Sequence, residues 1–401
     1  MKVMLSSLMV LVLSAGVLHA GERRLSLDEY RDKMKAALPD PAVVSRRISE
    51  QFLTTEPDAY EPQGMTRHTY VYGGHKHIHY SVVSLWVNAL ECARLAKQQD
   101  LEKRLVDAYR PLLKEKSYVW HKVKHVDFEV TGAVPLEIAI LTRDEAAARQ
   151  GLFYADRQWE APREDDNILK PTAGLDPKAR RGWYEQGYSS ETRLWIDDMY
   201  MIGLLQLQAY RCTGDRTYLD RAAREMALYL DRLPKREGLF FHAPTAPFIW
   251  ARGNGWMAGA MPMILKEMRA DDPLYAKIMR EYKLMMASLL KHQRASGLWG
   301  QLVDDAESWD ETSGSAMYAY AFAEGVKNGW LGDEYRTAME KAYVALVDRL
   351  DEHANLADVC VGTGARDNRE WYMKRTRVNG DPHGQAPLLW LCKALLDKST
   401  P

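Results

Sequence analysis

Apolar residues recur along this chain at three- and four-residue steps, and strict alternation of apolar and polar positions is scarce. That spacing lines one face of a helix, so it predicts helices over Val82 to Lys97, Thr192 to Ala209, Ala251 to Arg269 and Ser315 to Val326. Short polar connectors separate several of these runs from a second helical run. They resemble one another: Gln99-Asp100, Arg143-Asp144, Gly214-Asp215, Asp271-Asp272-Pro273 and Gly332-Asp333. An Asp in such a connector is expected to cap the following helix, because its carboxylate accepts the unpaired backbone N–H groups of the first turn. Tyr follows soon after three of the connectors, at Tyr218, Tyr275 and Tyr335.

Helix, Asp turn, helix is therefore a weak internal repeat, with a period of roughly sixty residues. Five or six such hairpins build either an open solenoid or a closed toroid. The connections that follow each hairpin are long and carry Gly, Trp, His and Asp. In a toroid those loops gather at one end and form a pocket, which favours an all-α barrel of helical hairpins.

The N-terminus departs from this pattern. Lys2 precedes an apolar run from Val3 to Val17, too short for a comfortable membrane span, and Leu18-His19-Ala20 ends on a small residue. Residues 1–20 are read as a cleavable export signal and 21–401 as a single catalytic-size domain, periplasmic or secreted. No later stretch is apolar enough to cross a bilayer. The formal net charge of -1 gives no electrostatic footprint for nucleic acid or anionic lipid. Cys92, Cys212, Cys360 and Cys392 form no CxxC pair, which excludes a zinc ribbon or a thioredoxin-like motif, and their spacing predicts no disulfide. Twelve Trp and 21 Tyr against seven Phe favour aromatics with a polar handle, which suit the rims of carbohydrate sites as well as large helical cores.

Candidate chemistry lies in the loops and at helix starts. Asp197 and Asp198 open an apolar helix among Trp195, Ile196, Met199 and Met201. A carboxyl in such surroundings resists ionising and can act as an acid, whereas two acids at a helix start can also be simple caps. His125-Val126-Asp127-Phe128 is a second polar island. Phe240-Phe241-His242-Ala243-Pro244 holds an enclosed-looking imidazole. Trp250-Ala251-Arg252-Gly253-Asn254-Gly255-Trp256 combines a possible carboxylate clamp, two stacking rings and two glycines. Two further rich loops are Glu311 to Met317, preceded by Trp299-Gly300-Gln301, and Asn379 to Pro387. His75, His77 and His79 have the look of a metal cluster, but no Asp, Glu or Cys ligand stands beside them, and a pocket rim or plain loop is the better reading. There is no G-x-S-x-G elbow, P-loop or dinucleotide fingerprint.

Taken in order, three of these blocks make the chain resemble the unsaturated rhamnogalacturonyl hydrolases of glycoside hydrolase family 105 and, more distantly, the unsaturated glucuronyl hydrolases of family 88. They are Ile196 to Met199, Trp250 to Trp256, and Glu311 to Ala316; the resemblance runs from about Tyr80 onward. It implies an (α/α)6 barrel and chemistry without metal or cofactor. The substrate it implies is an oligosaccharide left by a polysaccharide lyase, ending in a 4,5-unsaturated uronic acid. By this resemblance the general acid/base falls on Asp197, the second carboxylate on Asp127 and the loop imidazole on His242. Arg252 and Trp256 match substrate-binding positions, with Trp250 and Trp195 beside them. The stretch from Glu145 to Thr192 is longer and more charged than such a family leads one to expect. From the residues alone, a conventional inverting glycosidase on the same barrel and an exported carbohydrate-binding protein remain open.

Overall fold

The structure, a computed structural model, describes residues 38–54, 70–72, 75–115, 117–120, 124–162 and 177–398. The segment read as an export signal and residues 21–37 lie outside the described residues.

Among the described residues, twelve helices form the frame. In chain order they are α1 (Pro41–Thr54), α2 (Tyr80–Leu95), α3 (Gln99–Tyr109), α4 (Ala133–Thr142), α5 (Glu145–Arg157), α6 (Asp198–Thr213), α7 (Arg216–Arg232), α8 (Ala251–Glu267), α9 (Tyr275–His292), α10 (Thr312–Lys327), α11 (Asp333–Val347) and α12 (Pro382–Leu396). The even-numbered helices pack side by side in one ring, α2–α4–α6–α8–α10–α12, and α12 returns to α2. The odd-numbered helices lie outside them, each on a partner: α3 on α2, α5 on α4, α7 on α6, α9 on α8, α11 on α10. The last pair joins the chain ends, with α1 against α12 and α2. This is an (α/α)6 barrel, the closed alternative of the two the repeat allowed.

The sequence sorts the two layers. Inner helices are apolar on every side because neighbours surround them; every residue from Ala251 to Leu265 in α8 is buried. Outer helices bury a stripe, as in α9, where Ile278, Tyr282, Met285, Met286 and Leu289 turn inward. Tight packing of the ring needs small residues at crossings. A Cβ on Gly314 of α10 would come within 2.7 Å of the Ala251 backbone of α8.

Inner helices run parallel, so their two ends differ. At the C-terminal ends, short turns lead to the outer layer and ion pairs link neighbours: Lys393 to Glu91 at 2.7 Å, Arg211 to Glu267 at 2.7 Å, and Lys266 to Glu324 at 3.0 Å. Basic groups there complement the negative ends of the helix dipoles. At the N-terminal ends the long connections gather. They carry short antiparallel ladders, such as Lys235↔Phe240, Trp299↔Glu311 and Val359↔Val378.

Two expectations change. Of the Asp connectors, only Asp144 and Asp215 accept first-turn N–H groups, from Ala146 and Ala147 and from Thr217. Asp100 and Asp333 sit one or more residues too late, inside the first turn, and Asp272 instead pairs with Arg216 at 2.6 Å. The helix expected from Thr192 begins only at Asp198. Leu194 takes the left-handed conformation, φ 54°, which no helix continues through, and the Tyr229 hydroxyl accepts both the Arg193 and Leu194 N–H groups.

Candidate active site

Five inner helices begin with a candidate residue or its immediate neighbour: Tyr80 at α2, Asp198 at α6, Ala251 and Arg252 at α8, Thr312 and Ser313 at α10, and Pro382 and His383 at α12. The sixth, α4, is extended upward by the short helix Val126–Glu129 and a 3-10 turn, which bring Asp127 to the same end. Six positive helix ends thus converge on one mouth, a field that favours an anionic ligand.

Asp197 sits just before α6, 7% exposed, and makes no capping hydrogen bond. Its Oδ1 has no hydrogen-bond partner among the described residues. Burial pushes its pKa up to about 7, with Arg252 pulling the other way and Asp198 and Asp127 adding to the rise. Gly253 makes the room: a Cβ there would lie 2.7 Å from Ile196 Cγ2 and 3.5 Å from Asp197 Oδ1. Adjacent Asp198 is different. It is fully buried and gripped by Arg193, whose Nε and Nη2 both donate to it at 2.8 Å, while the Tyr229 hydroxyl donates at 3.3 Å. Of the two carboxyls, only Asp197 keeps an oxygen to spare.

Asp127 lies in the first turn of the short helix, whose N-cap is His125: the imidazole Nδ1 accepts the Asp127 N–H at 3.2 Å. Arg193 Nη2 stands 3.5 Å from Asp127 Oδ1, so one guanidinium joins Asp127 and Asp198. Burial raises Asp127 to about 6 against that pull. Asp127 and Asp197 lie within electrostatic reach of each other.

His242 is wholly buried, and burial and then Arg252 push its pKa down to about 3, so the ring is neutral. Its loop is tied to the acid, since the His242 carbonyl accepts the Ile196 N–H. Tyr372 accepts the Arg366 N–H and lies 2.7 Å from His242 Nδ1. If the Tyr372 hydroxyl donates to Nδ1, the proton of the neutral ring stands on Nε2, which has no partner.

Arg252 is enclosed. Its Nη1 donates to the Cys360 carbonyl at 2.5 Å and Nη2 to the Val361 carbonyl at 3.2 Å, and its guanidinium lies 4.6 Å from the Trp250 ring. Nε is left over. Glu311 holds the loop that presents those carbonyls: it accepts the Cys360 N–H at 3.1 Å and also caps α10 through Ser313 and Gly314. The conspicuous Glu311 block is therefore a bracket for Arg252. Trp250 and Trp256 are wholly buried and each leaves its indole N–H unpaired, whereas Trp195 keeps part of its surface open and sets its ring edge-on to His242. Trp256 lies deeper, walled by Tyr80, Tyr200 and Trp390.

All seven residues singled out from the sequence thus lie at this end of the barrel. Among the described residues, four nitrogens without a partner, His242 Nε2, Arg252 Nε and the indole nitrogens of Trp250 and Trp256, accompany one unpaired carboxyl oxygen on Asp197. Unpaired buried atoms occur elsewhere too, as at Thr131 and Gln206, so it is the gathering of five beside the helix starts that makes this the candidate place for a polar ligand. Sequence reasoning missed Arg193, Tyr372 and Tyr80. It noted the Asn379 to Pro387 loop without singling out His383 and Asp381. Of the histidine cluster, His79 caps α2 through Ser81 and His77 packs 3.8 Å from the Phe128 ring; the His75 side chain lies outside the described residues.

A family model described as Glycosyl Hydrolase Family 88 matches residues 48–396. An unsaturated 3S-rhamnoglycuronyl hydrolase from Alteromonas is 30% identical over 228 residues, 51% of this chain and 55% of that protein. An unsaturated rhamnogalacturonyl hydrolase from Bacillus subtilis is 26% identical over 249 residues, 60% and 67% of the two chains. The chain thus spans about half the length of the first of these relatives and two thirds of the second. Among solved structures, a possible member of the GH105 family from Salmonella enterica superposes with a TM-score of 0.71 at 19% identity, covering 97% of this chain and 99% of the other. An unsaturated glucuronyl hydrolase from Streptococcus agalactiae gives 0.59 at 15% identity, over 94% and 97%. At those identities the likeness is one of fold.

Proposed function

The chain belongs to Glycosyl Hydrolase Family 88, and from that premise we propose that it releases a 4,5-unsaturated uronic acid from the non-reducing end of lyase-generated oligosaccharides. The relatives named above carry out hydrolysis of unsaturated uronyl compounds by name. The observation that carries the reading is the mouth itself: a carboxyl that holds its proton to about 7, one oxygen unpaired, among unpaired N–H donors at six converging helix N-termini.

The chemistry follows from what each group can do. The 4,5-double bond shares its C5 with the ring oxygen and is a vinyl ether. Protonated Asp197 delivers its proton to C4, and positive charge develops on C5 and the ring oxygen. Ionised Asp127 offsets that charge, and water adds at C5, giving up a proton to the carboxylate that Asp197 has become. The C5 hemiketal opens by breaking its bond to the ring oxygen, leaving a ketone at C5 and a hemiacetal at C1. The hemiacetal then expels the aglycone alcohol, so one water is consumed in total. His242, neutral, and the indole N–H groups donate hydrogen bonds to sugar oxygens. Arg252 supplies positive charge for the uronate carboxylate from behind its carbonyl bracket. In this scheme a carboxyl with a pKa near working pH serves as both acid and base.

Export is part of the proposal. Residues 1–20 read as a signal, and lyase products are found where polymers are cut; N-terminal sequencing of the protein recovered from outside the cytoplasm checks this. The enzymatic test is a panel of unsaturated disaccharides followed by double-bond absorbance, beside their saturated counterparts. Loss of absorbance with the unsaturated members alone is expected. Cleavage of the saturated members would move the reading to a conventional glycosidase, and binding of either without turnover would remove the enzyme.

A further inference from the structure

One polar cluster at the mouth is not used by this scheme. Asp381 precedes α12 and its Oδ1 accepts both the backbone N–H of His383, at 2.8 Å, and the ring Nδ1–H, at 2.7 Å. His383 Nε2 lies 2.9 Å from the hydroxyl of Tyr80, the first residue of α2. Asp381 and His383 are almost wholly buried, while Tyr80 is half-buried. His79 packs edge-on to His383 at 5.1 Å and Trp256 edge-on to Tyr80 at 5.9 Å, which fixes both rings. Tyr80 lies within electrostatic reach of Asp197, Arg252, Asp127 and Asp381, which puts it beside the groups that do the chemistry.

The proton positions follow from the partners. Burial works against ionised Asp381, but His383 and its backbone N–H hold the carboxylate below the usual range. Burial also keeps His383 from charging. A neutral ring whose Nδ1 carries the proton has only a lone pair at Nε2. The Tyr80 O–H must then donate to Nε2, and its oxygen lone pairs are left for the mouth. The unpaired nitrogens there are donors, so the Tyr80 oxygen joins Asp197 Oδ1 as an acceptor.

Resting on the reading above, we propose that Asp381 and His383 are positioning residues: they hold Tyr80 with its proton turned away from the mouth, so that its oxygen accepts a hydrogen bond from a hydroxyl of the bound sugar. His383→Leu tests this cleanly. Asp381 Oδ1 still accepts the backbone N–H of residue 383, so α12 keeps its cap. With Nε2 gone, Tyr80 loses the acceptor that holds its proton, and its hydroxyl turns outward as a donor facing the substrate's donor.

The experiment is a double-mutant cycle of His383→Leu and Tyr80→Phe on the unsaturated disaccharide, with ¹⁵N-histidine NMR of the resting enzyme. His383→Leu is expected to lower kcat/KM about tenfold, mostly through KM, and to do nothing further once Tyr80→Phe has removed the hydroxyl. Equal losses in both backgrounds, or no loss in either, would overturn the relay, since a role in packing alone ignores the residue-80 hydroxyl. Should Tyr80→Phe fail to fold, the tautomer decides. The His383 signal, assigned by its absence in His383→Gln, is expected to show Nδ1 protonated and Nε2 bare; the reverse overturns the proposal. That spectrum needs no turnover, so it separates failure of the relay from failure of the substrate assignment.

Discussion

Replacing Asp197 by Asn should stabilise the protein at the pH where it abolishes activity. The folded state holds the Asp197 proton up to about 7, against an ordinary 3.8. Below 3.8 both folded and unfolded chains are protonated and nothing is lost. Between 3.8 and about 7 the unfolded chain has released a proton that the folded one retains, so stability falls as pH rises, and above about 7 the deficit is complete. At about 1.4 kcal/mol for each pH unit the full deficit is of order 4 kcal/mol. With about 2.1 cal/mol/K of unfolding entropy per residue, a chain of 401 residues loses about 0.8 kcal/mol per degree near its midpoint, so the gain reaches about 5 °C. Asn carries no charge to bury, and Asp197 Oδ1 has no hydrogen bond to lose. Asp198→Asn should do the opposite, because Arg193 and Tyr229 work against the rise that burial gives this carboxyl and both lose their charged partner in the variant. It strips charge from a carboxylate that receives two 2.8 Å bonds from Arg193, leaving a largely buried guanidinium under-compensated, a loss of roughly 3 kcal/mol. Calorimetric midpoints of both variants and the parent, from pH 4 to 8.5, read this directly. If Asp197→Asn lowers the midpoint at pH 8, or if its gain does not fade toward pH 4, the buried-acid reasoning is wrong.

Because Asp197 must hold its proton and Asp127 must have lost its own, kcat/KM should fall above about 7 and below about 6; a profile flat across pH 5 to 8 would exclude this pair. Arg252→Lys should lower the thermal midpoint as well as raise KM, because it strands the Cys360 carbonyl, worth about 1–3 kcal/mol when left buried and unpaired, while Val361 keeps the Thr363 hydroxyl; a KM change at unaltered stability would refute the bracket. Gly253→Ala places a methyl 2.7 Å from Ile196 Cγ2 and 3.0 Å from the Trp250 ring, so about 1–3 kcal/mol of stability and most of kcat should go together, and wild-type kcat in this variant would show that Asp197 needs no such room.

The barrel was legible because its signal is local and repeated: three- and four-residue steps, short turns, long loops at the other end. Layer order came from the structure, where helices apolar on all sides lie inside. What the pattern could not show was set by distant partners. The start of α6 slipped from Thr192 to Asp198 because Leu194 takes the left-handed conformation, a turn that Tyr229, 36 residues on from Arg193, holds by accepting the Arg193 and Leu194 N–H groups. The choice between Asp197 and Asp198 depended on the guanidinium of Arg193 choosing one of them. Arg252 was recognisable as a site residue, but not the two carbonyls more than a hundred residues away that occupy its nitrogens. Tyr80 and His383 stand 303 positions apart and meet only because the ring closes.

The central claim is that the double bond, not the glycosidic bond, is what reacts. An unsaturated disaccharide analogue with carbon in place of the glycosidic oxygen cannot lose its aglycone by ordinary hydrolysis, yet its vinyl ether is intact. Incubated with the enzyme, it should lose its double-bond absorbance and give the C5 ketone with the aglycone still attached, and Asp197→Asn should abolish that loss. Unchanged absorbance from the carbon-linked analogue, alongside rapid turnover of the oxygen-linked one and tight binding of both, would contradict the account.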